Sequence, residues 1–175
     1  SKYLMIYANK TTHSLNISPA PKETNETKLM LKFVEDNLEQ QSLSVKCLFY
    51  IIQLFKNISN DEIEFDVNYN KLKKDTFALT QNEISYEIKY ALIQASSACI
   101  FKCYTNPSYF KNAFGLIRFL VENELYFTLS HQQQIQQRFI LIIKVALGAG
   151  EINWAKQFIE TKINLIDKKQ QTDFS

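Results

Sequence analysis

Apolar residues recur every three or four positions along most of this chain, the spacing that lines one face of an α-helix. Leu29, Met30, Phe33, Val34 and Leu38 predict a helix over 25–40. Leu43, Cys47, Leu48, Tyr50, Ile51, Ile52, Leu54 and Phe55 cover more than one face of a helix over 42–57, which predicts a segment packed between neighbours. Ile84, Ile88, Leu92, Ala95, Cys99 and Cys103 predict a long helix over 82–105. Phe110, Ala113, Phe114, Ile117 and Leu120 predict another over 108–123. A helix over 130–148 and a last one over 151–166, carrying Trp154, Ala155, Phe158, Ile159, Ile163 and Leu165, complete the series.

Polar and backbone-restricting residues punctuate these stripes. Pro19 and Pro21 mark a loop, because proline lacks a donor and restricts the residue before it. Ser42 or Ser44 can cap the second helix, and Asn60 or Asp61 the next. Asn106-Pro107 ends the long helix, with Ser108 as the expected cap of its successor; Ser130 caps the one after. Gly148-Ala149-Gly150 reads as a sharp helix stop. Residues 62–69 are ambiguous, since Ile63, Phe65, Val67 and Tyr69 alternate as in a strand. With no partner strand in sight, 61–79 reads as a helix with a frayed or kinked start. Residues 2–8 read as a helix end or a short strand, and 167–175 as a polar, frayed tail.

Composition agrees with an all-α chain. The 175 residues include only 3 Gly and 3 Pro, too few for the many tight turns of a sandwich or barrel. Hydrophobic residues make up 46% and charged ones 22%, which excludes wholesale disorder. With 13 Phe and 9 Tyr, large interhelical contacts are available. The net charge of +2 is spread along the chain, which argues against nucleic acid as the main ligand. Cys47, Cys99 and Cys103 fit buried thiols in a reducing compartment, hence an expected cytoplasmic location. No secretory leader is visible, and chance accounts for the Asn-x-Ser/Thr sequons at Asn9, Asn16, Asn25 and Asn57. The longest apolar stretch, 139–150, is broken by Lys144 and too short to span a bilayer.

Two hairpins in the C-terminal half share a spacing. Tyr104, Phe110 and Ala113 in the first match Ala146, Ile152 and Ala155 in the second, where Gly150 marks the turn. A small residue at Ala113 and Ala155 lets two helix backbones approach, with larger flanking residues filling the groove. This arrangement resembles the tetratricopeptide repeat. The stretch 146–160, with its Trp-Ala-x-x-Phe-Ile-Glu helix, also resembles a segment of uncharacterised helical-repeat proteins of Bacteroidetes, over about residues 80–166. The two alanines lie 42 residues apart, against about 34 in a regular repeat. Ser108 stands where the first turn's glycine belongs. The resemblance implies one helical-repeat domain over 1–175, or a piece of a longer protein, with antiparallel hairpins stacked as an αα-superhelix; an irregular helical bundle is the alternative. It also implies a non-enzymatic scaffold or adaptor that binds a protein or peptide. A helical nucleic-acid-binding or regulatory domain, and a non-catalytic part of a larger enzyme, stand as alternatives.

No chemical motif rises above this background. His13 and His131 lack metal-spaced partners, and Cys99 and Cys103 share a helix face better explained by burial, so no metal or cofactor is expected. Glu83, Glu87, Asp61, Glu62 and Glu64 stand at helix starts, where they complement the dipole. Lys71, Lys73 and Lys74 read as a solvated helix face, and the glutamines over 132–137 as an exposed one. The candidate binding residues are Lys102 and Lys144, equivalent under the repeat alignment and set in apolar surroundings. On that reading they line a concave groove for an acidic or carboxylate-ended peptide, against the simpler reading that each snorkels to water.

Overall fold

In the computed structural model, residues 4–8, 24–59, 61–127 and 132–164 are described. Among them every regular element is helical and no strand occurs. The α-helices are α1 (4–8), α2 (Asn25–Asp36), α3 (Leu43–Lys56), α4 (Glu62–Thr76), α5 (Tyr86–Cys103), α6 (Phe110–Glu122), α7 (Gln132–Gly148) and α8 (Ile152–Lys162). Short 3-10 turns occupy Leu38–Gln40, Gln81–Glu83 and Pro107–Tyr109. The expected loop at Pro19 and Pro21, the cap at Ser130, both histidines and the tail lie outside the described residues. The chain forms two compact units, 1–98 and 99–175, with α5 running through the division.

In the first unit, polar side chains set the helix ends. The Thr24 hydroxyl accepts the Thr27 N–H at 3.2 Å, Ser42 accepts that of Val45 at 3.4 Å, and Asp61 accepts that of Glu64 at 3.0 Å. Asn37 and Asn57 close α2 and α3 by returning their amides to the carbonyls of Phe33 and Gln53. α3 is buried almost all round, and its close partner is α4. The alternation over 62–69 is helical after all. Phe65, Tyr69, Leu72 and Thr76 form the inward face of α4, while Ile63 and Val67 point outward. α2 departs from its expected stripe: Leu31 and Val34 are buried, but Leu29 and Phe33 are exposed. It packs on α3, and of its residues only Leu31 and Val34 are buried.

In the second unit, α6 packs on α7 and α7 on α8. Asn106, not Ser108, caps the turn into α6; its carboxamide oxygen accepts the Ser108 N–H at 3.1 Å and the Ser108 hydroxyl at 2.8 Å. Pro107 takes the first position of that turn, where its missing N–H costs nothing. Ala113, Phe114, Leu116, Ile117, Leu120, Ile142, Val145, Ala146, Ala155 and Phe158 make the core. Tyr104 and Ile152, expected to fill the hairpin grooves, are exposed instead. Each sits at a helix boundary, Tyr104 just past α5 and Ile152 first in α8, where the backbone turns its side chain away from the packed face.

α6 and α7 end in the same way. After α7, the Glu151 N–H bonds Ala146 O at 2.9 Å and the Gly150 N–H bonds Leu147 O at 3.0 Å. After α6, the Leu125 N–H bonds Leu120 O at 2.8 Å and the Glu124 N–H bonds Val121 O at 3.1 Å. Both are Schellman closures, which place one residue in the left-handed region. Gly150 takes it with φ +84; Glu124 takes it with φ +58. Leu125 and its partner in the closure, Leu120, are both buried.

Candidate functional site: a groove between α6 and α8

The two hairpin ends bring one face of α6 alongside one face of α8. Arg118, Val121 and Glu122 recur at i, i+3 and i+4 on α6, and Glu124 follows in the closing turn. On α8, Trp154, Gln157, Phe158, Thr161 and Lys162 fall on a single helical stripe. Together they line a groove of about 280 Å³.

Its wall is aromatic. Trp154 and Phe158, one turn apart, stack with centroids 5.2 Å apart and planes within 7°. The Phe114 ring meets Trp154 edge-on at 5.0 Å, and Phe139 backs Phe158 at 4.9 Å. Such pairs add about 0.5–1.5 kcal/mol each beyond the area they bury. Phe158 is thereby buried while Trp154 stays half-buried, and Ala155 is buried at 2% exposure.

The rim is charged and mostly committed. Arg118 Nε donates to Glu122 Oε1 at 2.7 Å, with both side chains half exposed. The Thr161 hydroxyl donates to the carbonyls of Gln157 and Phe158 within its own helix. Lys162 stands in the last turn of α8, where a cation complements the helix dipole. The arrangement is an aromatic platform with charges placed at its edge.

The two lysines singled out in the sequence occupy different environments. Lys102, at the end of α5, is 2% exposed, with its ammonium 5.3 Å from the centre of the Tyr109 ring. Lys144 on α7 is exposed. A groove lined by both ammonium groups needs Lys102 at the surface, and its burial over the Tyr109 ring takes it away. Lys71, Lys73 and Lys74 are exposed on α4, and Lys73 lies 5.4 Å over the Phe77 ring.

The first unit holds a second hollow, of about 370 Å³, lined by Lys28, Leu31, Lys32, Glu35, Asp36, Gln53 and Lys56. It has no aromatic wall, and its charges are mixed. The same unit contains the most perturbed titratable groups. The Tyr50 hydroxyl donates to Asp75 Oδ2 at 3.1 Å; burial first, and then the Asp75 charge, push the Tyr50 phenol up. Burial, seconded by Asp75, pushes the Cys47 thiol up to about 12. A thiol so protonated is no nucleophile at neutral pH. Cys103, raised by burial, donates to Cys99 O at 3.1 Å, and all three cysteines are free and buried. Among the described residues, no three metal-ligating side chains gather, and no helix is long and apolar enough to cross a membrane.

No protein-family model, no curated protein and no solved structure matches the chain.

The groove was not legible beforehand. Its two faces lie about thirty residues apart in sequence, and Glu124 falls between the helices expected over 108–123 and 130–148. The available signal was a helix end at 122–124 with no glycine to close it.

Proposed function

We propose that this chain is a non-enzymatic peptide- or protein-binding module, and that the partner lies in the α6–α8 groove. The observation that carries the reading is the half-buried Trp154 ring, stacked on Phe158 and held from behind by Phe114 in an otherwise charged groove. A rigid aromatic anchor at a partly open site is the feature that dominates binding energy at interfaces. The tetratricopeptide-like arrangement is part of the same reading. It is supported by the burial of Ala113 and Ala155 at matching places and by the serial packing of α6, α7 and α8. A cytoplasmic setting is part of it as well, supported by three free buried thiols.

Peptide display against the intact chain tests the proposal. Random peptides are selected on the wild type and counter-screened on Trp154→Ala. The reading expects selected peptides to lose most of their affinity for the variant. Peptides that bind both proteins equally would place the binding surface elsewhere.

A further inference from the structure

Glu124 is a poor choice for its own position. It closes α6 at φ +58, a backbone conformation that L side chains resist and that α7 assigns to Gly150. Its carboxylate also stands at the negative end of the α6 dipole, where a negative charge is repelled. Conformation and local field thus both disfavour glutamate here, and the residue belongs to the groove lining.

Two neighbouring cations are already engaged. Arg118 is bonded to Glu122 at 2.7 Å. Arg138 donates to the Tyr126 carbonyl at 3.0 Å and lies 5.6 Å over the Tyr126 ring, on the loop that follows Glu124. The groove therefore opens at the C-terminal turns of two helices, with Glu124 and the stacked Trp154–Phe158 pair in its lining.

We propose that this groove takes the basic side chain of a partner peptide, an arginine or a lysine. The aliphatic stem lies along the half-buried Trp154, and the cationic head meets Glu124 and the negative helix ends. The proposal rests on the peptide-binding reading above and narrows it to one side-chain chemistry. Lys162 opposes the incoming charge, so its removal favours binding.

Trp154 is the only tryptophan, so its fluorescence reports on this groove directly. The intact chain is titrated with N-acetyl-arginine amide, N-acetyl-norleucine amide and N-acetyl-glutamate amide at equal ionic strength. A saturable change is expected with the arginine probe, and a clearly weaker one with the other two. Glu124→Gln and Glu124→Gly should each weaken arginine binding by about fivefold or more, and Lys162→Met should tighten it by about twofold or more. Added salt should weaken it as well. The two Glu124 variants separate charge from strain, since glycine relieves the positive φ and glutamine keeps it. Equal responses to arginine and norleucine, preference for glutamate, no response to arginine, or unchanged binding by both Glu124 variants would each overturn the proposal. Display-selected peptides that require Trp154 but carry no basic residue would overturn it too, while leaving the groove as the binding surface.

Discussion

Gly148 lies against the ring of Phe110: a Cβ on Gly148 would stand 2.7 Å from the ring carbons Cγ and Cδ1. The last residue of α7 thus meets the first of α6 with no space between them. Gly148→Ala should cost about 1 kcal/mol, because overpacking outweighs the helix propensity gained. With Phe110→Ala in the background, the same change should stabilise by about 0.5 kcal/mol. Chemical denaturation of the four proteins measures the sign reversal; an identical effect in both backgrounds would deny the contact.

Gly150 and Glu124 invite opposite substitutions. Nothing lies within 4 Å of a Cβ on Gly150, so Gly150→Ala meets only the conformational cost of φ +84, about 1 kcal/mol. Glu124→Gly should gain about 0.5–1 kcal/mol, since relief of the left-handed strain exceeds glycine's extra unfolded-state entropy. Thermal unfolding should move down for the first variant and up for the second. A loss of stability in Glu124→Gly would mean that its side chain holds the fold.

Ala155 sits at 2% exposure beside Trp154 and Phe158. Ala155→Leu should overpack this crossing and cost about 1–3 kcal/mol. An unchanged unfolding midpoint would contradict the close approach of α8 to its neighbours.

Alkaline pH should weaken the first unit. The folded Cys47 pKa is raised from 9.0 to about 12, so its thiol contributes stability fully below pH 9. That contribution is lost as pH climbs from about 9 to 12, because the unfolded chain releases a proton the folded one keeps. Tyr50, raised in the same direction beside Asp75, reinforces the decline at higher pH. Denaturation midpoints above pH 9 should fall with a slope that Cys47→Ala reduces. Equal slopes would show that Cys47 ionises in the fold without penalty.

The sequence made the helices plain wherever one face carried most of the apolar weight. In α5 the stripe from Ile88 through Leu92, Ala95, Cys99 and Cys103 is buried as its spacing demands. α4, read as a helix, carries a strand-like alternation because two exposed residues, Ile63 and Val67, alternate with the buried Phe65 and Tyr69. α2 misled in another way: periodicity identifies an amphipathic face without saying how much of it a neighbour covers, and Phe33 and Leu29 fall outside that cover. Lys102 was read as a surface residue from its place in a proposed alignment, whereas burial over Tyr109 depends on how the turn after α5 folds back. The groove needs two helices at once, and no pattern local to either one contains it.

The central claim is that partners lie between α6 and α8. Amide chemical shifts of the isotopically labelled chain, recorded with and without a display-selected peptide, test it most directly. The account predicts that the largest changes cluster at Arg118, Val121, Glu124, Trp154, Gln157 and Thr161. Changes centred on Lys144, or on the exposed Leu29 and Phe33 of α2, with those six residues unmoved, would contradict it.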